Sequence, residues 1–319
     1  MKICLVQLGR IGDMILMTPG IQMIKKTYPD AEIYFIAGPS NYFIVNNNPN
    51  VKETLIFDKN PLKLLKFIKK LRSINFDYYI DPKDHYSSES SLIAKLSKAA
   101  SKIGFNDNKH KSFDISIPSS KDNIGLHFVE RLRHCITYIT KEEPELYKPE
   151  IFLEVQSIEN VNNYIKNNNI ETFTVLNFSA SNLNKMWEKD KWIDFINKTK
   201  HKENYVIISS AEHYNTIQDI SKKTNILCFP PSDLNTISAL ISKAKLLITP
   251  DTSCVHIAAA FNIPVIALTC NVPWSVTKFK PLSSKNIMIL PKEINARLDA
   301  ISVNEAIEQY NYFYKTNII

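Results

Sequence analysis

Apolar residues follow two rhythms along this 319-residue chain. Short runs rich in β-branched and aromatic residues alternate with longer stretches in which apolar positions recur every three or four residues. The runs "KICLVQL" (2–8), "EIYFIA" (32–37), "FDYYID" (76–81), "TFTVLNF" (172–178), "NYVIIS" (204–209), "KLLIT" (245–249) and "PVIAL" (264–268) are the clearest strands. Between them, segments such as "TPGIQMIKKTYP" (18–29) and "LHFVERLRHCITYI" (126–139) carry helical spacing. This alternation predicts βαβ units and an α/β protein with doubly wound parallel sheets.

The elements fall into two sets, one over residues 1 to about 117 closed by the 126–139 helix, the other over about 172 to 290. "EEPELYKPEIFLEV" and an Asn-rich helix-like segment (156–169) read as the connection. The expected architecture is two Rossmann-like domains facing a cleft, 1–155 and 156–319, with the last helix free to pack back on the first. Each parallel sheet then offers the C-terminal edge of its strands to a ligand. The Asn clusters at 46–50 and 162–169 read as loops. The lysine-rich "PLKLLKFIKKLRSINFD" (61–77) reads as a crossover helix burying Leu62, Leu65, Ile68 and Leu71, with a membrane-surface helix as the alternative.

Three segments carry candidate chemistry. In "LVQLGRIGDMILMTPG" (5–20) a strand meets a helix at Gly9, Gly12 and Asp13, and glycines let backbone approach a ligand there. Asp13 is either a helix N-cap or a carboxylate for acid/base work. Pro19 is the first helical residue after a Thr18 cap or, if the helix starts near Asp13, a kink. G-R-I-G falls short of a dinucleotide fingerprint, and the second strand ends "FIAGPS" without the acid that would hold a ribose. A nicotinamide oxidoreductase is disfavoured on that account, and no P-loop motif occurs. "SASNLNKMWEKDKW" (179–192) sets Lys185, Ser179 and Ser181 to meet a phosphate, or is a polar loop burying Trp187 and Trp192. "LLITPDTSCVHIAAAFNIPVIAL" (246–268) runs from a strand through Asp251 into a Thr252–Ser253 cap and a small-residue helix. Such an N-terminus can cradle a diphosphate, with His256 one turn in as a packed histidine or a functional one.

Composition narrows the setting. A net charge of +7, with 44% apolar and 22% charged residues, is that of a globular chain that permits an anionic ligand, nucleic acid or anionic lipid surface without selecting one. The five scattered cysteines form no C-x-x-C, which argues against a disulfide framework or zinc knuckle and fits a reducing cytoplasm. No apolar run reaches the roughly 20 residues of a membrane span. With no Asp-x-Asp or His-x-x-x-His pattern, no metal is expected. Lys185 and the amides of 252–254 would then neutralise a departing diphosphate.

In this order the segments resemble glycosyltransferase family 9, the bacterial heptosyltransferases of lipopolysaccharide core assembly. The residues that carry the likeness are "LGRIGDMILMTPGIQMIKKTYPDAEIYFIAG", "KMWEKDKWIDFI" and "ITPDTSCVHIAAAFNIPVIALTCNVPWSVTKFKPLS", which together span nearly the whole chain. The resemblance implies a GT-B fold and inverting, metal-independent transfer from ADP-L-glycero-D-manno-heptose to a lipid-anchored core sugar. By it Asp13 matches the catalytic base and Lys185 the lysine on the donor phosphates. Asp251, Thr252 and Ser253 would hold the diphosphate and donor sugar, His256 would lie close behind, and Glu212 would match the acid that contacts the ribose. The implied partners are a nucleotide sugar and an anionic glycolipid rather than nucleic acid, and the implied place is the cytoplasm or the inner face of the inner membrane. Two departures fall on the donor side: Ser253 replaces a favoured glycine, and "LTCNVP" (268–273) loses another. The alternatives are a family 9-like transferase for another nucleotide sugar and a non-catalytic relative.

Overall fold

Every strand pairing among the described residues is parallel. The computed structural model describes residues 1–105, 111–117, 119, 124–202 and 204–318. The chain divides into two units, Met1–Phe152 and Leu153–Ile319. The first holds β1 (Lys2–Gln7), β2 (Glu32–Ala37), β3 (Val51–Ile56), β4 (Asn75–Asp81), β5 (Lys98–Phe105) and β6 (Ile115–Ile117), in sheet order β3-β2-β1-β4-β5-β6. The second holds β7 (Thr174–Asn177), β8 (Tyr205–Ile208), β9 (Leu227–Cys228), β10 (Leu246–Pro250), β11 (Val265–Leu268) and β12 (Asn286–Ile289), in order β12-β11-β10-β7-β8-β9. Counted within its unit, each sheet runs third-second-first-fourth-fifth-sixth. The order therefore reverses between the first and fourth strands, at β1/β4 and at β7/β10. A crevice opens at such a switch point beyond the C-terminal ends of the strands.

The central strands are the apolar ones. Ile3 to Leu5 in β1, Ile33 and Phe35 in β2, Val175 in β7 and Leu247 in β10 have no exposed surface. In the first unit the helices Pro19–Thr27 and Phe128–Thr140 pack on each other. The second of these opens with a capping box between His127 and Glu130. Helices Pro61–Ser73 and Ser88–Leu96 share a core with Cys4, Val6, Ile36 and Phe76 of the sheet.

Four readings of the sequence change here. In the lysine-rich helix, Asn60 caps the amides of Leu62 and Lys63, and the core-facing stripe is Leu64, Phe67, Ile68 and Leu71, with Phe67 and Leu71 buried and Leu64 and Ile68 half-buried. That spacing (i, i+3, i+4, i+7) follows one helical face. The expected Leu62 and Leu65 lie off it, 73% and 66% exposed. Thr18 makes no side-chain cap, because its hydroxyl donates to Ile15 O (2.7 Å) and accepts from Glu150 N (2.9 Å). Both expectations for Pro19 are half met: a helix Ile11–Ile15 closes before Thr18, and Pro19 opens the next. The helix-like segment 156–169 is indeed helical, within Val155–Asn167, which packs on helix Leu234–Ser242, so the Asn cluster at 162–169 is mostly helix rather than loop.

In the second unit Trp187 and Trp192 stack edge to face in the core. The closing helix Val303–Asn317 seats Ala306, Tyr310 and Phe313 in that same core, so its apolar face is used within its own unit. No helix among the described residues is long and apolar enough to cross a membrane.

Candidate functional site

The candidate residues gather at the two switch points, one set in each unit. In the first unit β1 ends at Gln7, and Asp13 is the third residue of helix Ile11–Ile15. Asp13 is not the N-cap. Arg10 holds that position without a side-chain cap. A Cβ built on Gly9 would lie 3.0 Å from Gln7 Oε1 and 3.5 Å from Asp13 Oδ2, so the missing side chain leaves room for both. Neither Gly9 nor Gly12 has a positive φ, so close approach, not a left-handed backbone, is what Gly9 supplies. The Gly9 N–H donates to Gln7 Oε1 (2.9 Å) and is occupied within the turn.

This turn is clamped from the loop after β2 by a residue the sequence did not single out. Asn41, with no exposed surface, donates from Nδ2 to Gln7 O (3.1 Å) and Gly9 O (2.9 Å) and accepts from Gly38 N (2.9 Å). Its three hydrogen bonds fix the position of the loop from which Asp13 projects.

Across the switch point, the end of β4 carries a second group without a recognisable motif. Asp81 is buried, accepting from Ser90 Oγ and from Lys83 N (3.1 Å). Burial pushes its carboxyl above the usual range, against the downward pull of those bonds. Asp84, also buried, receives Arg131 on one oxygen and His85 Nδ1 on the other (3.2 Å), so the exposed imidazole is anchored to a buried carboxylate. "DPKDH" (81–85) would have pointed here only once β4 was known to neighbour β1.

In the second unit β7 ends at Asn177. Its Nδ2 donates to Thr249 Oγ1 (3.0 Å) and Thr252 Oγ1 (3.2 Å), and its Oδ1 accepts from Ser179 N (3.3 Å). Asn177 thereby ties the loop after β7 to the end of β10. In that loop Lys185 closes a short 3-10 turn, and its Nζ meets Asp251 Oδ2 at 2.5 Å. Thr252 caps helix Ser253–Ala260 by accepting from Cys254 N (3.3 Å). One of the three expected cradle amides is therefore already bonded. Helix N-termini lower thiol pKa values, yet burial dominates at Cys254 and pushes it up to about 11.

Asp251, Thr252 and Ser253 are half-buried, whereas His256 is buried and faces the Phe279 ring at 6.3 Å. Position 253 is not among the positive-φ residues, and neither are 270 and 271, so the replaced glycines leave no backbone strain. Cys270 Sγ lies 3.3 Å from Asn184 O, so the 268–273 loop buttresses the turn that carries Lys185. Ser179 Oγ accepts from Ser210 N (2.9 Å), beside the exposed Glu212 at the end of β8. Ser181 is exposed on the same loop as Lys185. The second unit thus brings Lys185, Asp251 and Thr252 together directly and Ser179 through Asn177. Among the described residues no three His, Cys, Asp or Glu side chains gather as a metal-binding group.

Comparisons with known proteins bear on the family and the fold. The sequence model of glycosyltransferase family 9 (heptosyltransferase) matches residues 64–305, well over half of the chain. The lipopolysaccharide core heptosyltransferase OpsX of Haemophilus influenzae is 25% identical over 284 residues, covering 84% of this chain and 78% of that protein. A glycosyltransferase family 9 structure from Veillonella parvula superposes with a TM-score of 0.86 at 15% identity, covering 99% of this chain and 98% of that one. The E. coli heptosyltransferase WaaC, solved with ADP, gives 0.76 at 15% identity over 99% and 98% of the two chains. The chain shares the GT-B fold of these structures.

Proposed function

The chain belongs to glycosyltransferase family 9, the heptosyltransferases, and from that premise we propose that it moves a heptose from ADP-L-glycero-D-manno-heptose to a lipopolysaccharide-type core sugar. The transfer inverts the anomeric centre. An acceptor hydroxyl oxygen attacks the anomeric carbon, the bond from that carbon to the diphosphate oxygen breaks, and ADP leaves with the bonding pair. Asp13 takes the hydroxyl proton as the new bond forms. A carboxylate in the first turn of a helix is a weak base, which suits a proton taken late in bond formation.

On the donor side, Lys185 and the N-terminus of helix Ser253–Ala260 receive the developing negative charge, with hydroxyls from Thr252, Ser253 and Ser179 around the phosphates. Asp251 orients Lys185 and accepts from sugar hydroxyls, and Glu212 binds the ribose. His256 supports the cradle from beneath through packing. In this reading the diphosphate is neutralised by protein groups without a metal ion. The acceptor is an anionic glycolipid on the cytoplasmic face of the inner membrane.

The observation that carries the proposal is the junction of Lys185 with Asp251 and the Thr252 cap at the β7/β10 switch point, in a chain of this family. It supports a phosphate-facing cation held ready beside a helix N-terminus. The test is a thermal-shift panel with ADP, UDP, GDP, CMP and NAD on the wild type and Lys185→Ala. A shift with ADP that shrinks in the variant is expected. A shift with UDP or GDP instead would replace the heptose donor by another nucleotide sugar. A response to NAD alone would overturn the reading.

A further inference from the structure

The helix Pro61–Ser73 shows an outward face that the fold leaves unused. It carries five basic residues, Lys63, Lys66, Lys69, Lys70 and Arg72, and no acidic one. Lys63 and Lys70 are held by Asp58 and Glu53, and nearby Lys59 is held by Glu89. Lys66, Lys69 and Arg72 are exposed and take part in no ion pair among the described residues. At 100° per residue, Leu62 and Leu65 project on the same side as these three cations, opposite the core-facing Leu64, Phe67, Ile68 and Leu71. Both leucines are mostly in water, at 73% and 66% exposure. The adjoining helix Ser88–Leu96 adds exposed Leu92 and Lys95.

Scattered exposed leucines need no explanation, but two leucines one turn apart within a field of unpaired cations are the composition of an interfacial helix. We infer that this face docks on an anionic lipid surface, the leucines entering the acyl boundary while Lys66, Lys69 and Arg72 meet the headgroups. A nucleic acid would use the cations but gain nothing from the leucines, and the outward face offers no aromatic ring on which bases could stack. The inference stands on the helix and is independent of the donor and acceptor assigned above.

Topology gives the docking a direction. The helix follows β3, so its N-terminal end, with Leu62 and Leu65, enters from the C-terminal edge of the first sheet. Asp13 follows β1 at that same edge. A lipid surface reached by the leucines therefore meets the edge of the sheet that carries the candidate base.

The test is flotation with vesicles of equimolar phosphatidylcholine and phosphatidylglycerol, against vesicles of phosphatidylcholine alone. The full chain is compared with Leu62→Ser/Leu65→Ser and with Lys66→Gln/Lys69→Gln/Arg72→Gln. All five positions are exposed, and an ADP-induced thermal shift equal to that of wild type, or an unchanged melting temperature if ADP gives no shift, reports that the variants are folded. Wild type should float with the anionic vesicles and not the neutral ones, and salt should weaken the association. Each variant should lower the bound fraction by about tenfold or more, the charge variant also losing the salt dependence. Failure of the wild type to bind anionic vesicles would overturn the inference. So would equal binding by either variant, or retention by RNA without retention by vesicles.

Discussion

Lys185 and Asp251 stand 2.5 Å apart across the switch point of the second sheet, one from the loop after β7 and the other from the residue after β10. The pair keeps a cation at the cradle but also puts a carboxylate beside the place a diphosphate would occupy. A charged hydrogen bond contributes about 1.5–3 kcal/mol, so Lys185→Ala should weaken ADP binding by about tenfold to a hundredfold. Asp251→Asn should act the other way on ADP, tightening it by removing a like charge, while lowering turnover because Lys185 loses its tether and the sugar an acceptor. Calorimetric titration of ADP, set beside turnover of the two variants, checks this split.

Asn41 predicts a loss of a different kind. Its removal leaves Gly38 N and the carbonyls of Gln7 and Gly9 without their buried partner. Unpaired buried groups cost about 1–3 kcal/mol each. Asn41→Ala should therefore lower the melting temperature by about 4 °C or more. It should reduce turnover through misplacement of Asp13 while leaving ADP affinity in the other unit unchanged. Differential scanning calorimetry and ADP titration separate the two effects.

Asp81 gives a pH dependence with a definite sign. Its folded-state pKa is raised by burial, so between the ordinary carboxylate value of about 4 and the raised value the folded chain binds more protons than the unfolded one. Its contribution to stability is fullest below the ordinary value and is lost as pH rises through the raised one. Asp81→Asn, which keeps an acceptor for Ser90 and Lys83, should gain stability relative to wild type as pH climbs over that window. Melting curves of the two proteins from acid to neutral pH measure the difference.

Much of the fold was legible because the central strands are covered on both faces and must be apolar throughout. β1, β2, β4, β7, β8, β10 and β11 were each visible in the sequence. The rest follow other rules. β3 (VKETLI) sits at an edge and alternates with lysine and glutamate, β5 (KAASKIGF) has one β-branched residue, and β9 is two residues long. Helix presence was readable at 61–73, but the buried face was not, since Leu62 and Leu65 fit the spacing as well as Leu64 and Phe67 until the sheet selects one side. The Lys185 and Asp251–Thr252 segments were readable because each joins a strand to a helical turn in one stretch of chain. Asn41 and the Asp84–Arg131 pair escaped because their partners lie 32 to 47 residues away, and only the strand order brings them together.

Cys254 offers a test of the cradle's dryness. With its thiol pushed up to about 11 by burial, it stays protonated at neutral pH despite its place at a helix N-terminus. Iodoacetamide should leave Cys254 unmodified in the native protein while alkylating the more exposed Cys270. Peptide mass mapping after brief alkylation reads the outcome.

The central claim is that Asp13 acts on the acceptor while the second unit binds the donor, and Asp13→Asn tests it most directly. The substitution keeps size and hydrogen-bonding capacity but removes the base. ADP affinity measured by calorimetry should equal that of wild type, and turnover with ADP-heptose and a core acceptor should fall by about a hundredfold to ten-thousandfold. Turnover within a few-fold of wild type would contradict the account, because another group would then be taking the acceptor proton.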